Sequence, residues 1–384
     1  MIPYGRQDVR QEDIESVIEV LRSDFLTQGP KVPAFERAVA EKVGATHGIA
    51  VNSATSALHI ACKALGVASG DILWTTPNTF VASANCALYC GADVDFVDID
   101  ARTYNLSVEA LRAKLRESAD NGRLPKVLVA VHFAGQPCDM EQIRDLSNQY
   151  GFRIIEDASH AVGGKYQDEY VGSGNFSDVT IFSFHPVKIV TTAEGGLALT
   201  NDESLAQSMR LFRSHGVTRA PEQLQQEPPG PWYYEQVELG FNYRMTDLQA
   251  ALGLSQLERL DEYVSRRHEL ADLYDSLLEG FPVTRPYRAS QRYSGLHLYP
   301  IRIDPSHDRR KVFEGLRERE IGVNVHYIPV HTQPWYRARG FGWGDFPAAE
   351  EYYREAISLP MYPSMSDQQV EQVVAALEEA LALK

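Results

Sequence analysis

A lysine that follows a buried strand is the first residue whose setting suggests chemistry. The segment 181–196, IFSFHPVKIVTTAEGG, runs from an apolar strand into a loop that presents Ser183, His185 and Lys188. Burial disfavours the charged form of lysine, so a desolvated Lys188 would have a lowered pKa and would be a better nucleophile. The alternative is an ordinary surface lysine, because most lysines in proteins are exposed.

An acidic pair ends another apolar strand. The segment 153–161, RIIEDASHA, carries Glu156 and Asp157 at that end. A carboxylate in this position can hold a cationic ring nitrogen or orient a base. It can equally be the N-cap of the next helix, a position that aspartate favours.

Two more segments place hydroxyl groups and an aromatic ring after strands. In 48–60, GIAVNSATSALHI, Thr55 and Ser56 open a helix whose free N–H groups and dipole would favour a phosphate, although such hydroxyls also occur as ordinary caps. In 72–83, ILWTTPNTFVAS, Phe80 can cover a planar ring or pack in the core. The chain contains neither a Walker A loop nor a GxGxxG turn.

The elements that must position these residues alternate between strands and helices. The strand candidates are 48–52, 72–75, 93–97, 126–132, 153–156, 178–184 and 196–200. Most are apolar on both faces, which predicts a mainly parallel α/β sheet covered by helices on both sides. Ligands of such sheets bind at the carboxyl ends of the strands, so the four segments are expected to meet at one edge.

The remainder of the chain predicts a smaller α+β domain. A strongly helical stretch at 246–279 connects the two parts. The later elements are strands at 295–303 and 323–328 and helices at 308–320, 347–356 and 366–382. We therefore divide the chain into a large domain, 1–250, with an N-terminal helical arm, and a small domain, 251–384.

The four weak signals together match the needs of one cofactor, pyridoxal 5′-phosphate (PLP). Its aldehyde takes a lysine as a Schiff base, and its ring nitrogen pairs with an acid that makes the ring an electron sink. Its phosphate suits a helix N-terminus, and its ring needs a flat cover. The sequence therefore predicts a PLP site.

Seven ordered motifs resemble those of the PLP-dependent sugar aminotransferases of the DegT/DnrJ/EryC1/StrS family. They are NSATSALHIA (52–61), TTPNTFVAS (75–83), VHFAGQPCDM (131–140), IEDASHAVGG (155–164), SFHPVKIVTTAEGG (183–196), LGFNYRMTDLQAALG (239–253) and VHYIPVHTQPWY (325–336). The resemblance covers nearly the whole chain. It implies the PLP-dependent transferase fold type I, similar to aspartate aminotransferase, and a homodimer.

The resemblance also implies residue roles. Lys188 would bind the cofactor aldehyde and move the proton between substrate and cofactor, and Asp157 would pair with the pyridinium nitrogen. His160, where the family more often has glutamine, would lie near the phenolic oxygen of the ring. The phosphate would be bound by the hydroxyl groups of Thr55, Ser56 and Ser183. Phe80 would stack on the ring, and Asn242 would reach the phosphate in the neighbouring subunit.

Within the family, the segments 183–196, 297–303 and 322–336 are most similar to enzymes of the pseudaminic acid pathway. Those enzymes convert UDP-2-acetamido-2,6-dideoxy-β-L-arabino-hex-4-ulose to its 4-amino sugar with glutamate as donor. The alternatives are members that aminate other nucleotide keto sugars, of the legionaminic acid, viosamine or aminoarabinose type.

Charge and composition limit the partners. The 384 residues are 44% hydrophobic and 23% charged, as in ordinary globular proteins. The net charge of −15 argues against nucleic acid as a partner. The four cysteines form no CxxC pair, so we expect neither a disulfide framework nor a metal site. With no apolar run long enough for a membrane span and no signal peptide, a cytoplasmic protein is expected.

Both expected substrates are anionic, so local cations rather than the net charge must attract them. The candidates for substrate contact are His185, Arg244, His326 and His331, although the last two can also have a structural role. Arg213 and His215 are further candidates that can equally pack in the fold.

Four rival functions are weighed against these residues. A sugar dehydratase of the same fold would have histidine in place of Lys188, and a non-catalytic protein of this fold would be expected to lose Lys188 or Asp157. An NAD-dependent nucleotide-sugar dehydratase or epimerase would need a glycine-rich turn and a YxxxK pair. A metal hydrolase built on His132 and Cys138 lacks ligand spacing.

Overall fold

The computed structural model describes residues 1–382, and Leu383 and Lys384, the end of the predicted small domain, lie outside the described residues. The helices are α1 (Gln11–Leu21), α2 (Lys31–Val43), α3 (Ala54–Ala64), α4 (Ala82–Tyr89), α5 (Val108–Asp120), α6 (Met140–Tyr150), α7 (Glu203–Arg213), α8 (Asp247–Leu257), α9 (Leu260–Leu277), α10 (Arg309–Glu318), α11 (Pro334–Arg337), α12 (Pro347–Glu355) and α13 (Asp367–Leu381). The strands are β1 (His47–Val51), β2 (Ile72–Thr75), β3 (Asp93–Phe96), β4 (Val127–Val131), β5 (Arg153–Asp157), β6 (Lys165–Tyr166), β7 (Glu169–Tyr170), β8 (Val179–Ser183), β9 (Gly196–Thr200), β10 (Val217–Thr218), β11 (Glu235–Gln236), β12 (Val283–Thr284), β13 (Arg292–Tyr293), β14 (Tyr299–Ile303) and β15 (Ala356–Leu359).

A seven-stranded sheet organises the first part of the chain, in the order β1-β9-β8-β5-β4-β2-β3. The pairs from β8 through β3 are parallel, and β9 is antiparallel to both β8 and β1. β9 runs against its neighbours because residues 184–195 return from β8 without the crossover helix that a parallel pair requires. The predicted α/β class with a mainly parallel sheet is confirmed, and these seven strands are the predicted ones.

Helices bury both faces of this sheet. On β4, Val127, Val129 and Val131 join one group of core side chains, whereas Leu128 and Ala130 join another. Successive side chains of a strand point to opposite faces, so β4 lies in the middle layer of three. α3, α4 and α7 cover the first face, and α5 and α6 cover the second.

The later part of the chain has its own core. The antiparallel sheet β12-β14-β15 packs with α9, α10 and α13. The proposed boundary after residue 250 falls inside α8, so this division of the chain stays a prediction. No helix within residues 1–382 has both the length and the apolar character that crossing a membrane requires.

The predicted strand at 323–328 is wrong. Only Asn324 pairs with a strand, exchanging backbone hydrogen bonds with Ser358 of β15. Beyond it, His326 and Tyr327 are joined by a cis peptide bond and both line a cavity. The segment therefore serves the cavity wall rather than the sheet.

The predicted helix at 246–279 is two helices. α8 ends at Leu257 and α9 begins at Leu260, because Arg259 leaves the helical conformation and its guanidinium binds Asp13 of α1 at 2.6 Å. The predicted helix at 347–356 ends at Glu355, and the next residues form β15, which the sequence did not predict.

Candidate active site

A cavity of about 490 Å³ opens at the carboxyl ends of β5 and β8, beside the N-terminus of α3. It occupies the edge of the sheet at which ligands of α/β proteins bind. Eight of the predicted site residues line it: Thr55, Phe80, Asp157, His160, Ser183, His185, Lys188 and His326. The structure therefore brings together the four segments that sequence reasoning singled out.

Lys188 lies in the loop after β8, where its backbone N–H donates to the His185 carbonyl at 2.9 Å. Burial lowers the pKa of its amine to about 8, and the nearby Asp157 carboxylate partly opposes that shift. Within residues 1–382 the amine makes no hydrogen bond. Lys188 thus offers the cavity an amine that loses its proton near pH 8, more readily than an ordinary lysine does.

Asp157 is the last residue of β5 and is held by three hydrogen bonds. Ser83 of α4 donates its hydroxyl to Oδ2 at 2.6 Å. Ser159 donates its hydroxyl to Oδ1 at 2.6 Å and its backbone N–H to the same atom at 3.2 Å. These bonds fix the orientation of a carboxylate that is only 6% exposed. The sequence identified Asp157 but not Ser83, whose distance of 74 residues along the chain gives no local signal.

His132 directly follows β4 and has a structural role beside Glu156 of β5. Its Nε2 lies 2.7 Å from Glu156 Oε2, and the Cys138 backbone N–H donates to its Nδ1 at 3.1 Å. Cys138 in turn donates its thiol to the Val131 carbonyl. The imidazole is completely buried and both of its nitrogens have partners, so His132 and Cys138 belong to the core rather than to a metal site.

The N-terminus of α3 forms one corner of the cavity. Ser53 caps the helix by accepting the Ser56 backbone N–H at 3.2 Å, and both Ser53 and Thr55 line the cavity. The Ser56 hydroxyl donates to Asn52 Oδ1 at 2.7 Å instead. The Ser56 hydroxyl therefore has a partner within the helix cap and does not line the cavity, so phosphate binding by Ser56 stays a prediction. Ser53 takes its place on the cavity wall.

Gly196 explains how the sheet approaches this helix so closely. A Cβ atom at Gly196 would lie 2.4 Å from the backbone nitrogen of Ala54 and from the carbonyl carbon of Ser53. Only glycine allows two backbone segments to meet at this distance. β9 can therefore support the first turn of α3 directly.

His326 lines the cavity but is not a cation. Burial and the neighbouring Lys188 lower its pKa to about 3, and its Nδ1 lies 2.9 Å from the Ser358 hydroxyl. At neutral pH His326 is therefore uncharged and would not attract anionic substrates by its charge, whereas its place among the substrate contacts stays a prediction. It can contact them only as a neutral imidazole.

His331 does not reach the cavity. It is completely buried, and its Nε2 lies 3.1 Å from Glu350 Oε1. The sequence placed it among the candidate cations for substrate contact, but the short helical turn at Val330–Thr332 carries it into the core. Its prediction as a substrate contact is corrected to a structural role.

Four further candidates lie outside the cavity lining. Arg244 forms an isolated bridge with Val51 of β1, and Asn242 forms one with Ser214 just after α7; neither residue lines the cavity of its own chain. Arg213 donates to the Ala50 carbonyl at 2.9 Å and pairs with a carboxylate, which gives it a packing role.

His215 is exposed, with a φ of 62°. Its backbone N–H donates to the Phe241 carbonyl at 2.8 Å, which holds the loop on which Asn242 lies.

Two cavity residues that sequence reasoning missed are Tyr327 and His297. The Tyr327 hydroxyl lies 3.0 Å from His160 Nε2, and the His297 ring lies 4.5 Å from the His160 ring. His297 stands in the segment HLYPIRI and Tyr327 in HYIPVH, both of which were recognised only as motifs. Neither residue follows a strand of the central sheet, so the strand-end rule did not select them.

The donor set fits PLP. An unpartnered amine (Lys188), a fixed carboxylate (Asp157) and a capped helix N-terminus at Ser53 surround one cavity. His160 Nδ1 is buried without a hydrogen-bond partner within residues 1–382, as expected of an atom that meets a ligand. Phe80 leaves 58% of its area exposed at the same cavity, where it can cover a ring.

Comparison with known proteins agrees with this chemistry. The DegT/DnrJ/EryC1/StrS aminotransferase family matches residues 7–378. The chain belongs to this family. Aminotransferases of the DegT/DnrJ/EryC1/StrS family use PLP, so the chain is a PLP-dependent nucleotide-sugar aminotransferase, as the sequence predicted.

Two relatives and one solved structure show how far the similarity to this family extends. The spore coat polysaccharide biosynthesis protein SpsC of Bacillus subtilis is 40% identical, over 98% of this chain and 96% of its own. The UDP-4-amino-4,6-dideoxy-N-acetyl-β-L-altrosamine transaminase of Campylobacter jejuni is 38% identical, over 95% of this chain and 94% of its own. Helicobacter pylori PseC, an aminotransferase of pseudaminic acid biosynthesis, has a TM-score of 0.91 with 32% identity over 99% of both chains.

Proposed function

We propose that this aminotransferase moves an amino group from glutamate to C4 of UDP-2-acetamido-2,6-dideoxy-β-L-arabino-hex-4-ulose. The similarity to the Campylobacter jejuni altrosamine transaminase over nearly the whole chain carries this proposal. The fold similarity to PseC supports the same substrate class. The similarity to SpsC keeps other nucleotide keto sugars as the alternative.

Five residues would hold the cofactor in the cavity. Asp157 would pair with the ring nitrogen, His160 would donate to the phenolic oxygen, and Phe80 would cover the ring. The phosphate would meet the first turn of α3 at Thr55 and the hydroxyl of Ser183 at the end of β8. Bound PLP supplies an electron sink that makes the amine-bearing carbon acidic.

Lys188 would move the proton. With a pKa of about 8, the free amine is partly unprotonated near neutral pH and can remove the proton from the α-carbon of glutamate. The same nitrogen, then protonated, can return a proton to C4 of the sugar. One group serves both halves because the burial that lowers its pKa also keeps water from competing for the proton.

We also propose that two copies of the chain share their active sites. Asn242 is exposed and does not line the cavity of its own chain. Phe25, Leu26 and Leu239 expose 53%, 49% and 76% of their area, and Leu26 accepts the Asp247 backbone N–H, so this apolar surface adjoins the Asn242 segment. An exposed apolar patch of this kind is typical of an interface.

The test is the reaction itself. Purified enzyme, loaded with PLP, is incubated with glutamate and each of several nucleotide keto sugars, and the products are identified by mass spectrometry and NMR. We expect amination at C4 of the UDP-linked 4-keto sugar and formation of 2-oxoglutarate. Amination of a different sugar, or at C3, would move the assignment to another member of the same substrate class.

A further inference from the structure

Tyr327 and His160 form a fixed pair on the wall of the cavity. The Tyr327 hydroxyl lies 3.0 Å from His160 Nε2, and the two rings are nearly parallel, with an interplanar angle of 21°. Both residues line the cavity together with Lys188. The Tyr327 backbone N–H also donates to Asn78 Oδ1 at 3.3 Å, so the backbone and the hydroxyl of Tyr327 are both held.

Both members of the pair are uncharged. Burial raises the pKa of Tyr327 far above its ordinary value, and the Asp157 charge adds to the shift. Burial lowers the pKa of His160 well below its usual range, and Lys188 and His326 act in the same direction. A neutral imidazole has one N–H and one lone pair. His160 can therefore donate a single hydrogen bond, from either Nδ1 or Nε2.

The unpartnered nitrogen of His160 decides which way that bond points. In the proposed arrangement, Nδ1 donates to the phenolic oxygen of the cofactor, an acceptor that favours an N–H. His160 Nε2 then carries the lone pair and can only accept. The Tyr327 hydroxyl must therefore donate its hydrogen to His160 Nε2. The Tyr327 oxygen is left with a lone pair on a side chain that borders the cavity.

We infer that this oxygen is a substrate contact: Tyr327 accepts a hydrogen bond from the sugar hydroxyl on the carbon next to the reacting carbonyl, and His160 positions Tyr327 to do so. This inference rests on the proposed function. In the proposed sugar, C3 carries the hydroxyl group that neighbours C4, whereas C5 carries no polar hydrogen. Holding that hydroxyl would orient the carbonyl carbon toward Lys188 before any proton moves.

Tyr327→Phe tests the contact because it removes only the hydroxyl. The holoenzyme is assayed with the 4-keto sugar and with its 3-deoxy analogue, and the ratio of the two kcat/KM values is measured. We expect the wild type to favour the hydroxylated sugar by about five- to tenfold, the range of one hydrogen bond. Tyr327→Phe should lower that ratio to about one, chiefly by losing activity on the hydroxylated sugar.

Tyr274→Phe is the matched control. Its buried hydroxyl donates to the Pro360 carbonyl at 2.9 Å, outside the cavity lining, so it loses a comparable bond without touching the substrate. It should keep the wild-type ratio. A Tyr327→Phe enzyme that still favours the hydroxylated sugar as strongly as the wild type would overturn the inference. A wild type that aminates no nucleotide keto sugar would instead refute the proposed function.

Variants of His160 test its positioning role. Glutamine can donate from its amide nitrogen and accept at its oxygen, so His160→Gln should retain the preference for the hydroxylated sugar. His160→Leu can do neither; it should lose that preference and also shift the visible absorption band of the holoenzyme, a readout independent of turnover. If His160→Leu keeps both the preference and the band, His160 does not position Tyr327.

Discussion

At the scale of single residues, the burial of Lys188 is what makes its amine reactive. A lysine amine in water loses its proton only near pH 10.5, whereas burial brings the pKa of Lys188 down to about 8. The shift from the ordinary value of 10.5 corresponds to about 3 kcal/mol, at about 1.4 kcal/mol for each pKa unit. Burying the amine therefore destabilises the folded protein but gives it a more reactive nitrogen.

Removing the amine should abolish catalysis without unfolding the protein. We expect the purified wild type to show a visible absorption band that borohydride bleaches, and Lys188→Ala to lose the bleachable band and all measurable transamination. Lys165→Ala, on β6 outside the cavity lining, is the control and should keep both. Transamination by a correctly folded Lys188→Ala enzyme would refute the role of this residue.

The same amine should make the stability of the cofactor-free protein depend on pH. Below pH 8 the folded chain must charge a buried amine, which destabilises it. Between pH 8 and 10.5 the unfolded chain binds a proton that the folded chain does not, so stability rises with pH. Lys188→Met should therefore be more stable than the wild type at pH 7, by about 3 kcal/mol, and this advantage should shrink at pH 10.

Urea unfolding of both proteins at the two pH values measures the effect. An equal difference between Lys188→Met and the wild type at pH 7 and pH 10 would show that the amine is not desolvated in the folded protein.

Which residues lie at the site was more predictable from the sequence than their protonation states and partners. Lys188 and Asp157 were found because each lies at or just past the end of an apolar strand, and parallel strands bring such ends together. The neutral state of His326 could not be predicted, since it depends on burial by segments far apart in the chain. Tyr327 was missed for a related reason, because its partner His160 is 167 residues away.

At the scale of elements, the contact between β9 and α3 shapes the corner of the site where the phosphate would bind. β9 is antiparallel to its neighbours and brings Gly196 against the first turn of α3. A larger residue there would push the helix N-terminus away from the cavity. The close approach of β9 to α3 thus explains why the motif TTAEGG ends in a glycine, Gly196.

Gly196→Ala should therefore weaken cofactor binding as well as the fold. The added Cβ would meet Ala54 and Ser53 backbone atoms at 2.4 Å, so the first turn of α3 must shift. We expect a loss of about 1–3 kcal/mol in the free energy of unfolding and at least a tenfold weaker PLP affinity. Gly342→Ala, where the new atom meets nothing within 4 Å, is the control.

Equilibrium dialysis of PLP and urea unfolding measure the two effects separately. If Gly196→Ala loses stability but binds PLP as the wild type does, the first turn of α3 is not part of the phosphate site.

Elements of the large sheet were predicted better than those of the C-terminal part, for a physical reason. Strands buried on both faces are continuous apolar runs such as VLVAV of β4, and such runs are visible in the sequence. The segment 323–328 is also largely apolar, but its side chains form a cavity wall instead of extending the sheet. At the break between α8 and α9, Arg259 forms an ion pair with Asp13, 246 residues away, a contact that has no local signal in the sequence.

At the scale of the whole molecule, a net charge of −15 must coexist with anionic substrates. Since His326 is neutral and His331 is buried away from the cavity, fewer cations of this chain face the site than the sequence predicted. His185 remains at the cavity, and Arg244 lies outside it. A second copy of the chain that contributed its Asn242 and Arg244 would add an amide and a cationic side chain to the site.

Mixing two inactive variants tests that arrangement. If Asn242 acts in the partner's site, a dimer of one Lys188→Ala chain and one Asn242→Ala chain contains one site with both residues intact and one with neither. Random mixing of equal amounts makes half of the dimers mixed, so about a quarter of the wild-type activity should return. Each variant alone should stay nearly inactive, and mass spectrometry should verify the mixed dimers. If Asn242 serves its own chain, every site in the mixed dimer lacks one residue, and verified mixed dimers will recover no activity.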